Sequence, residues 1–222
     1  MKDKISLDDR LAAVAGFVEG EFLIDVGTDH ANLPIFLCQT KKIKRAVASD
    51  INEGPLDRAK KNICAHGLQE KIETVLSDGL TALESYIPTD IAVAGMGGIL
   101  IKDIISSSEI ARRAHLILQP MSHAHILREY LTSHGFSIKD ETLAEDAGKV
   151  YQIISAVYTG TNDEYTDAEL YIGKKNIENR EKYPAEFLKH VKKLTETVSK
   201  KVNGGDDGAR SLYNEFLNFL KT

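Results

Sequence analysis

One pattern recurs four times before residue 100 of this 222-residue chain: a hydrophobic run that ends on glycine or aspartate. The runs are Phe22-Leu-Ile-Asp-Val-Gly-Thr-Asp-His30, Ala46-Val-Ala-Ser-Asp50, Val75-Leu-Ser-Asp-Gly79 and Ile91-Ala-Val-Ala-Gly-Met-Gly-Gly98. Continuous apolar runs of this length read as parallel strands buried on both faces. Open α/β sheets bind their ligands beyond the carboxyl ends of such strands. The four ends together supply one glycine turn and three carboxylates, a constellation that suits a nucleoside.

The intervening segments read as helices. Ser6 is positioned to cap a first helix, with Asp9 three residues on and Leu7, Leu11, Val14 and Val18 on one stripe. Leu33 to Gln39 is a crossover helix, Pro55 to His66 a helix closed by Gly67, and Gly98 to Ile105 and Ser122 to His134 two more. Strands over Phe22 to Val26, Arg45 to Ser49, Lys71 to Leu76, Asp90 to Ala94 and Ala114 to Gln119 alternate with them. That alternation predicts a right-handed, parallel α/β sheet of the Rossmann-like class.

Beyond His134 the pattern changes. Phe136 to Ala144 and Val150 to Tyr158 are β-rich and flank Glu145-Asp-Ala-Gly-Lys149, which has the composition of a hairpin loop. Parallel units closed by an antiparallel pair suggest the seven-strand sheet of S-adenosylmethionine-dependent methyltransferases. From about Asp163 the chain is polar and helical. Phe187, Val191, Leu194, Val198 and Val202, then Leu212, Phe216 and Phe219, step by three and four around Asn203-Gly-Gly-Asp-Asp-Gly208. This predicts an α-helical coiled-coil hairpin. The expected division is a methyltransferase domain over 1–160 and a helical domain over 161–222.

Composition narrows the function classes. No run of about eighteen apolar residues occurs, and Met1-Lys-Asp-Lys-Ile-Ser is charged where a signal peptide would be apolar, so a cytoplasmic protein without a membrane span is expected. Two cysteines without Cys-x-x-Cys spacing make zinc and disulfides poor expectations. His123 and His125, two apart on a helix, point to different sides and do not make a metal site. The net charge of −5 hides basic clusters at Lys41-Lys-Ile-Lys-Arg45, at Arg112-Arg113, and along Lys189, Lys192, Lys193, Lys200 and Lys201. These read either as solvated faces or as a polyanion contact.

The chemistry begins at Gly27. A dinucleotide fingerprint needs Gly-x-Gly-x-x-Gly, but the frame here reads Gly-Thr-Asp-His-Ala-Asn32, with the first glycine alone. A dehydrogenase is therefore disfavoured. One glycine suffices for a turn in which backbone N–H groups and the following helix terminus face a ligand carboxylate, and the flanking Asp25 and Asp29 suit an amine and a sulfonium better than a pyrophosphate. That combination favours S-adenosyl-L-methionine as cofactor. Asp50 is placed for ribose hydroxyls and Asp78 for an adenine amine, although each taken singly also reads as a helix cap. Thr28, His30, Ile51, Gly79 and Gly95 complete the cofactor candidates, with His30 equally readable as a cap or packing residue.

Leu7-Asp-Asp-Arg-Leu, Asp25-Val-Gly-Thr-Asp-His-Ala-Asn-Leu-Pro34, Ala94-Gly-Met-Gly-Gly98, Leu118-Gln-Pro120 and Glu145-Asp-x-Gly-Lys-x-Tyr151 are similar to the motifs of the bacterial tRNA (adenine-22, N1) methyltransferase family. The resemblance covers the whole chain. It implies a class I methyltransferase domain with a C-terminal coiled-coil domain, S-adenosylmethionine as methyl donor and a tRNA adenosine as target. Asp29 is then the candidate catalytic carboxylate near the adenine amine. Asn32, Met96, Gly97, Lys41, Lys42, Lys189, Lys192 and Lys193 are the candidate substrate contacts. The chain has Asn32 where the family usually has tyrosine and Met121 where asparagine is common, so position 32 supplies no aromatic platform. No metal is implied, and a monomer is expected. A methyltransferase of a small molecule or protein, and a non-catalytic RNA-binding module, are the alternatives.

Overall fold

A computed structural model describes residues 4–206 and 208–221. Met1–Asp3, Asp207 and Thr222, which fall within the N-terminal charge reading, the interhelical turn and the C-terminal end, lie outside the described residues.

The chain runs α1 (Asp9–Phe17), β1 (Phe22–Val26), α2 (Asn32–Gln39), β2 (Arg45–Asp50), α3 (Glu53–His66), β3 (Ile72–Leu76), β4 (Asp90–Gly97), α4 (Gly98–Ser106), β5 (His115–Ser122), α5 (Ala124–Ser133), β6 (Phe136–Asp146) and β7 (Lys149–Tyr158). The helices α6 (Asp167–Ile172), α7 (Lys174–Glu178), α8 (Pro184–Asn203) and α9 (Gly208–Phe219) follow. Strand order is β3-β2-β1-β4-β5-β7-β6. The first five strands are mutually parallel, and β7 runs antiparallel to both β5 and β6.

All five residues of β1 are buried, as a central parallel strand requires. Its side chains alternate between two cores. Ile24 and Val26 pack with Ile101 of α4 and Leu127 and Leu131 of α5, whereas Leu23 packs with Val14 of α1, Leu37 of α2 and Ile63 of α3. A third core joins Leu143 and Val150 of the β6–β7 hairpin to Ile172, Phe187, Val191, Leu212 and Phe216. The C-terminal helices therefore share apolar packing with the edge of the sheet. Arg128 and Glu141, both fully buried, reinforce this seam. Arg128 Nε donates to Glu141 Oε1 at 2.7 Å, Nη2 to Gln152 at 2.6 Å and Nη1 to the Leu170 carbonyl at 2.7 Å.

Three expectations change in detail. Asp8, not Ser6, caps α1, its Oδ1 accepting the Leu11 N–H at 2.6 Å. The β6–β7 ladder continues to Asp146↔Lys149, leaving a two-residue turn at Ala147 and Gly148 with φ of 46° and 78°. Two positive φ values define the mirror-image turn that matches strand twist, so polar Glu145, Asp146 and Lys149 are ladder residues rather than loop. The helix after β5 begins at Ala124, because His123 adopts φ 53°.

Candidate cofactor and base site

The strands β1 and β4 lie side by side at the point where strand order reverses, and the chain leaves their carboxyl ends in opposite directions. Between them opens a cavity of about 350 Å³, lined by Asp8, Arg10, Asp25, Gly27, Thr28, Asp29, His30, Asn32 and Gly95 among others. A second cavity of about 370 Å³ lies between α1, β6 and the 179–183 segment, lined by Phe17, Asp140 and Tyr183 among others. It contains no strand terminus or glycine turn, so the chemistry belongs to the first.

Gly27 has φ 77°, and a Cβ built on it would lie 2.0 Å from Met96 Cε. The positive φ favours glycine there, and any side chain would also have to displace the tip of Met96 from β4. The amides of Gly27 and Thr28 both donate to the Ser49 carbonyl, at 2.8 and 2.9 Å. This corrects the expected turn geometry: these two N–H groups tie β1 to β2 instead of facing a ligand.

What the cavity offers a ligand comes from side chains. Asp25 is buried with no cationic partner among the described residues, and burial pushes its carboxyl up to about 6, which a hydrogen bond from the Thr28 side chain offsets only in part. Thr28 Oγ1 is buried and makes no hydrogen bond of good geometry. A buried carboxyl with no ion pair among the described residues, beside a hydroxyl with hydrogen-bonding capacity to spare, is the complement of a ligand with an amine and a positive centre. The residues present thus fit S-adenosylmethionine.

Asp29 is more exposed and already engaged. Arg58 Nε donates to its Oδ1 at 2.9 Å, the Arg58 Nη2 contacts the same oxygen, and His30 Nε2 stands 3.4 Å from Oδ2. The Asn32 Oδ1 accepts from Asn62 at 3.2 Å, and the same amide donates to the His30 carbonyl at 2.7 Å. Asp50, Ile51, Asp78 and Gly79 sit at the ends of β2 and β3 on the same sheet edge, outside the lining of this cavity. Asp50 Oδ1 accepts the Asn52 N–H at 2.8 Å, while Ile51 is exposed beside it. Met96 and Gly97 end β4, opposite Pro120 and Ser122 of β5.

The lysine candidates separate into two groups. Lys42 Nζ donates to the Ala15 and Gly16 carbonyls at 2.6 and 3.0 Å, closing the end of α1, and Lys189 pairs with Glu145 at 2.6 Å. Lys41, Lys192 and Lys193 are exposed. Sequence reasoning missed Arg10 and Gln119, although both lie in motifs singled out above. Gln119 is fully buried and its Oε1 accepts from Arg10 Nη1 at 2.8 Å and from the Gly95 N–H at 3.1 Å.

His115 bridges Asp90 and Ser155 at 2.9 and 2.7 Å, a hydrolase-like order of residues. Ser155 is 3% exposed, so no acyl group reaches it, and the chain of bonds ties β4, β5 and β7 together. His125 stacks on Tyr171 with ring centroids 4.2 Å apart. Among the described residues there is no group of three metal-ligating side chains and no helix long and apolar enough to cross a membrane.

The comparisons with known proteins agree with this geometry. A crystal structure of a Streptococcus pneumoniae protein in complex with S-adenosyl-L-methionine superposes with a TM-score of 0.87 at 34% identity, covering 97% of this chain and 100% of that one. The structure of Mycoplasma capricolum TrmK with S-adenosyl-homocysteine, its natural cofactor product, gives a TM-score of 0.77 at 28% identity, covering 97% and 95%. The curated tRNA (adenine(22)-N(1))-methyltransferase of Bacillus subtilis is 31% identical over 209 residues, 89% of this chain and 87% of its own length. The family model for tRNA (adenine(22)-N(1))-methyltransferase matches residues 23–221, from the second residue of β1 through the last helix, and with the strand-end cavity in place the chain belongs to that family.

Proposed function

We propose that this protein methylates N1 of adenosine 22 in tRNA, using S-adenosylmethionine. The observation that carries the reading is the cavity at the β1–β4 switch point, where the buried Asp25 carboxyl, without an ion pair among the described residues, and the Thr28 hydroxyl meet a glycine turn. S-adenosylmethionine, when bound, supplies an electrophilic methyl group on a sulfonium. Asp25 and Thr28 are the residues proposed to hold its amino-acid end, with Asp50 on the ribose hydroxyls and Ile51, Asp78 and Gly79 around the adenine.

Adenine N1 carries its own lone pair, so the protein needs no nucleophile of its own. Its tasks are to align the base edge, exclude water and support the positive charge that the purine acquires. We assign that support to Asp29, whose carboxylate stands at the cavity wall. Arg58 holds that carboxylate in place through its Nε hydrogen bond, which suits an electrostatic role. Met96 supplies an apolar wall, and Gly97 with Asn32 leaves room for the base. N1 lies on the Watson–Crick edge, so the adenosine must leave its stack before reacting. Lys41, Lys192 and Lys193 are proposed phosphate contacts, with the 161–222 helices as the tRNA-facing part of a cytoplasmic monomer.

The test is incubation of the purified protein with methyl-labelled S-adenosylmethionine and unmodified tRNA, followed by nucleoside analysis. The expected product is 1-methyladenosine, lost when adenosine 22 is replaced by guanosine. Cofactor binding without label in any tRNA would instead support a non-catalytic RNA-binding module.

A further inference from the structure

The carboxyl end of β5 leaves the sheet beside the turn that follows β4. Ser122 pairs with Gly97, and a Cβ built on Gly98 would lie 2.5 Å from the His123 carbonyl oxygen, so His123 stands next to the wall proposed for the target base. It holds φ 53° ahead of α5 and is exposed. Its ring centre lies 6.1 Å from that of His125, with the planes 37° apart. His125 in turn stacks on Tyr171 of α6 at 4.2 Å and 9°, and Tyr171 meets Phe216 of α9 edge-on at 6.1 Å. Three planar side chains thus run from the strand ends to the helical part of the chain, and Tyr171 anchors them against the third core.

What such a row binds follows from its surfaces. A parallel stack on Tyr171 takes one face of His125 and leaves the other, and unpaired RNA bases are held by stacking on aromatic faces of this kind. Sandwiching a base takes about 7 Å between two rings, twice the roughly 3.4 Å step of stacked bases. The His123–His125 separation falls just short of that, and a turn of the exposed His123 side chain supplies the difference. Burial first, then the charges of His123, Lys201 and Arg128, hold His125 below its ordinary value, so the ring is neutral at pH 7. Lys201 of α8 is exposed and lines a cavity of about 230 Å³ together with Tyr171. Asp167 and Asp206 line the same cavity, so charge alone does not select a polyanion there and the planar rings must.

Resting on the methyltransferase reading above, we infer that His123, His125 and Tyr171 form a stacking platform for an unpaired tRNA base other than the target adenosine, with Lys201 on an adjoining phosphate. That base enters between His123 and His125 while the adenosine occupies the strand-end cavity. One RNA strand is thereby held at two points, on the sheet and against α6 and α8, which keeps the extruded adenosine from returning to its stack.

The test uses the whole protein and reads tRNA affinity by fluorescence anisotropy, label transfer from methyl-labelled S-adenosylmethionine, and S-adenosylmethionine affinity by calorimetry. For His125→Leu, which keeps an apolar contact on Tyr171 but removes the planar ring, tRNA affinity should fall roughly five- to hundredfold, the loss of one stacked base. His125→Phe should restore it. His123→Asn, which tolerates a positive φ, should lose a smaller part. S-adenosylmethionine affinity should stay within about twofold in all three variants. A set of tRNAs, each with one abasic nucleotide near adenosine 22, identifies the base. At one position the abasic tRNA should bind the unaltered protein as weakly as intact tRNA binds His125→Leu, and combining the two changes should cost no more than either alone. Lys201→Ala should lower the slope of log K against log salt by about 0.7, the value for one phosphate of a single strand. Thermal melting of each variant without ligand controls for folding. Unchanged tRNA affinity in His125→Leu, or an equally large loss with every abasic tRNA, would overturn the platform, the former result leaving this surface to a protein partner. Failure of the unaltered protein to label any tRNA, with the stacking losses still present, would overturn the methyltransferase reading instead.

Discussion

Arg128 on α5 and Glu141 on β6 form an ion pair with no exposed surface on either side chain, and Arg128 reaches onward to the carbonyl oxygens of Leu170 and Tyr171 at the end of α6. Desolvating two charges offsets most of their attraction, so the pair itself adds little net stability, yet breaking it strands a buried charge. Arg128→Met should therefore destabilise the fold by about 3–5 kcal/mol, and the double variant Arg128→Met/Glu141→Leu should recover much of that loss. Urea unfolding of the single and double variants measures both. An additive double variant would mean that the residues act independently.

At the site, Asp50 ends β2 on the ligand edge and is the proposed ribose contact. Asp50→Ala should weaken S-adenosylmethionine binding by about 1.5–3 kcal/mol, the range for a hydrogen bond to a charged group. Calorimetry reads the change, and an unaltered affinity in a folded variant would leave Asp50 only its bond to the Asn52 amide.

Acidification should separate binding from stability. Burial raises Asp25 to about 6, so if its ionised form holds the cofactor amine, affinity should fall about tenfold per pH unit below that value. Asp25→Asn should bind weakly and without this slope.

Asp25 and His190 contribute opposing pH terms to stability. Asp25 has a raised folded value, so its term favours the fold below the unfolded value of 3.8 and is lost as pH rises through about 6. His190 is the reverse. It is 5% exposed, and burial, assisted by the Arg128 charge, lowers it to about 3. Its term is present above the unfolded 6.5 and is lost as pH falls toward 3. The two cancel in part between about 4 and 6. His190→Leu should flatten the loss of stability on acidification, and Asp25→Asn should steepen it by up to about 1.4 kcal/mol per pH unit. Denaturant melts from pH 4 to 7 test the signs.

For tRNA, the lysines should show themselves through salt. Lys192 and Lys193 are exposed on α8 with no ion pair among the described residues, unlike Lys189. Replacing both by alanine should flatten the slope of log K against log salt by up to about 1.8, at roughly 0.9 per phosphate on a duplex arm. S-adenosylmethionine affinity should not move. A slope equal to that of the unaltered protein would make them ordinary solvated residues.

The sheet was legible because a strand covered on both faces must be apolar throughout, and β1 begins and ends where its run of Phe22–Val26 does. Glu145, Asp146 and Lys149 misled because polar residues at the free end of a hairpin satisfy a ladder as well as a loop does. The glycine turn was read correctly as a turn, but the destination of its amides depends on Ser49, in another strand. Arg10 and Gln119 are 109 positions apart, and nothing in either local segment announces that they share an oxygen with Gly95.

The contact between Gly27, which lines the cavity, and Met96 behind it is asymmetric in compliance. On one side stands backbone with no side chain to move; on the other, the last atoms of an unbranched thioether. The spacing between the two walls can therefore change by rotation about methionine bonds while both strands stay in register. Crowding at Gly27 would be relieved by moving a methyl group, with the hydrogen-bonded sheet beneath it left undisturbed.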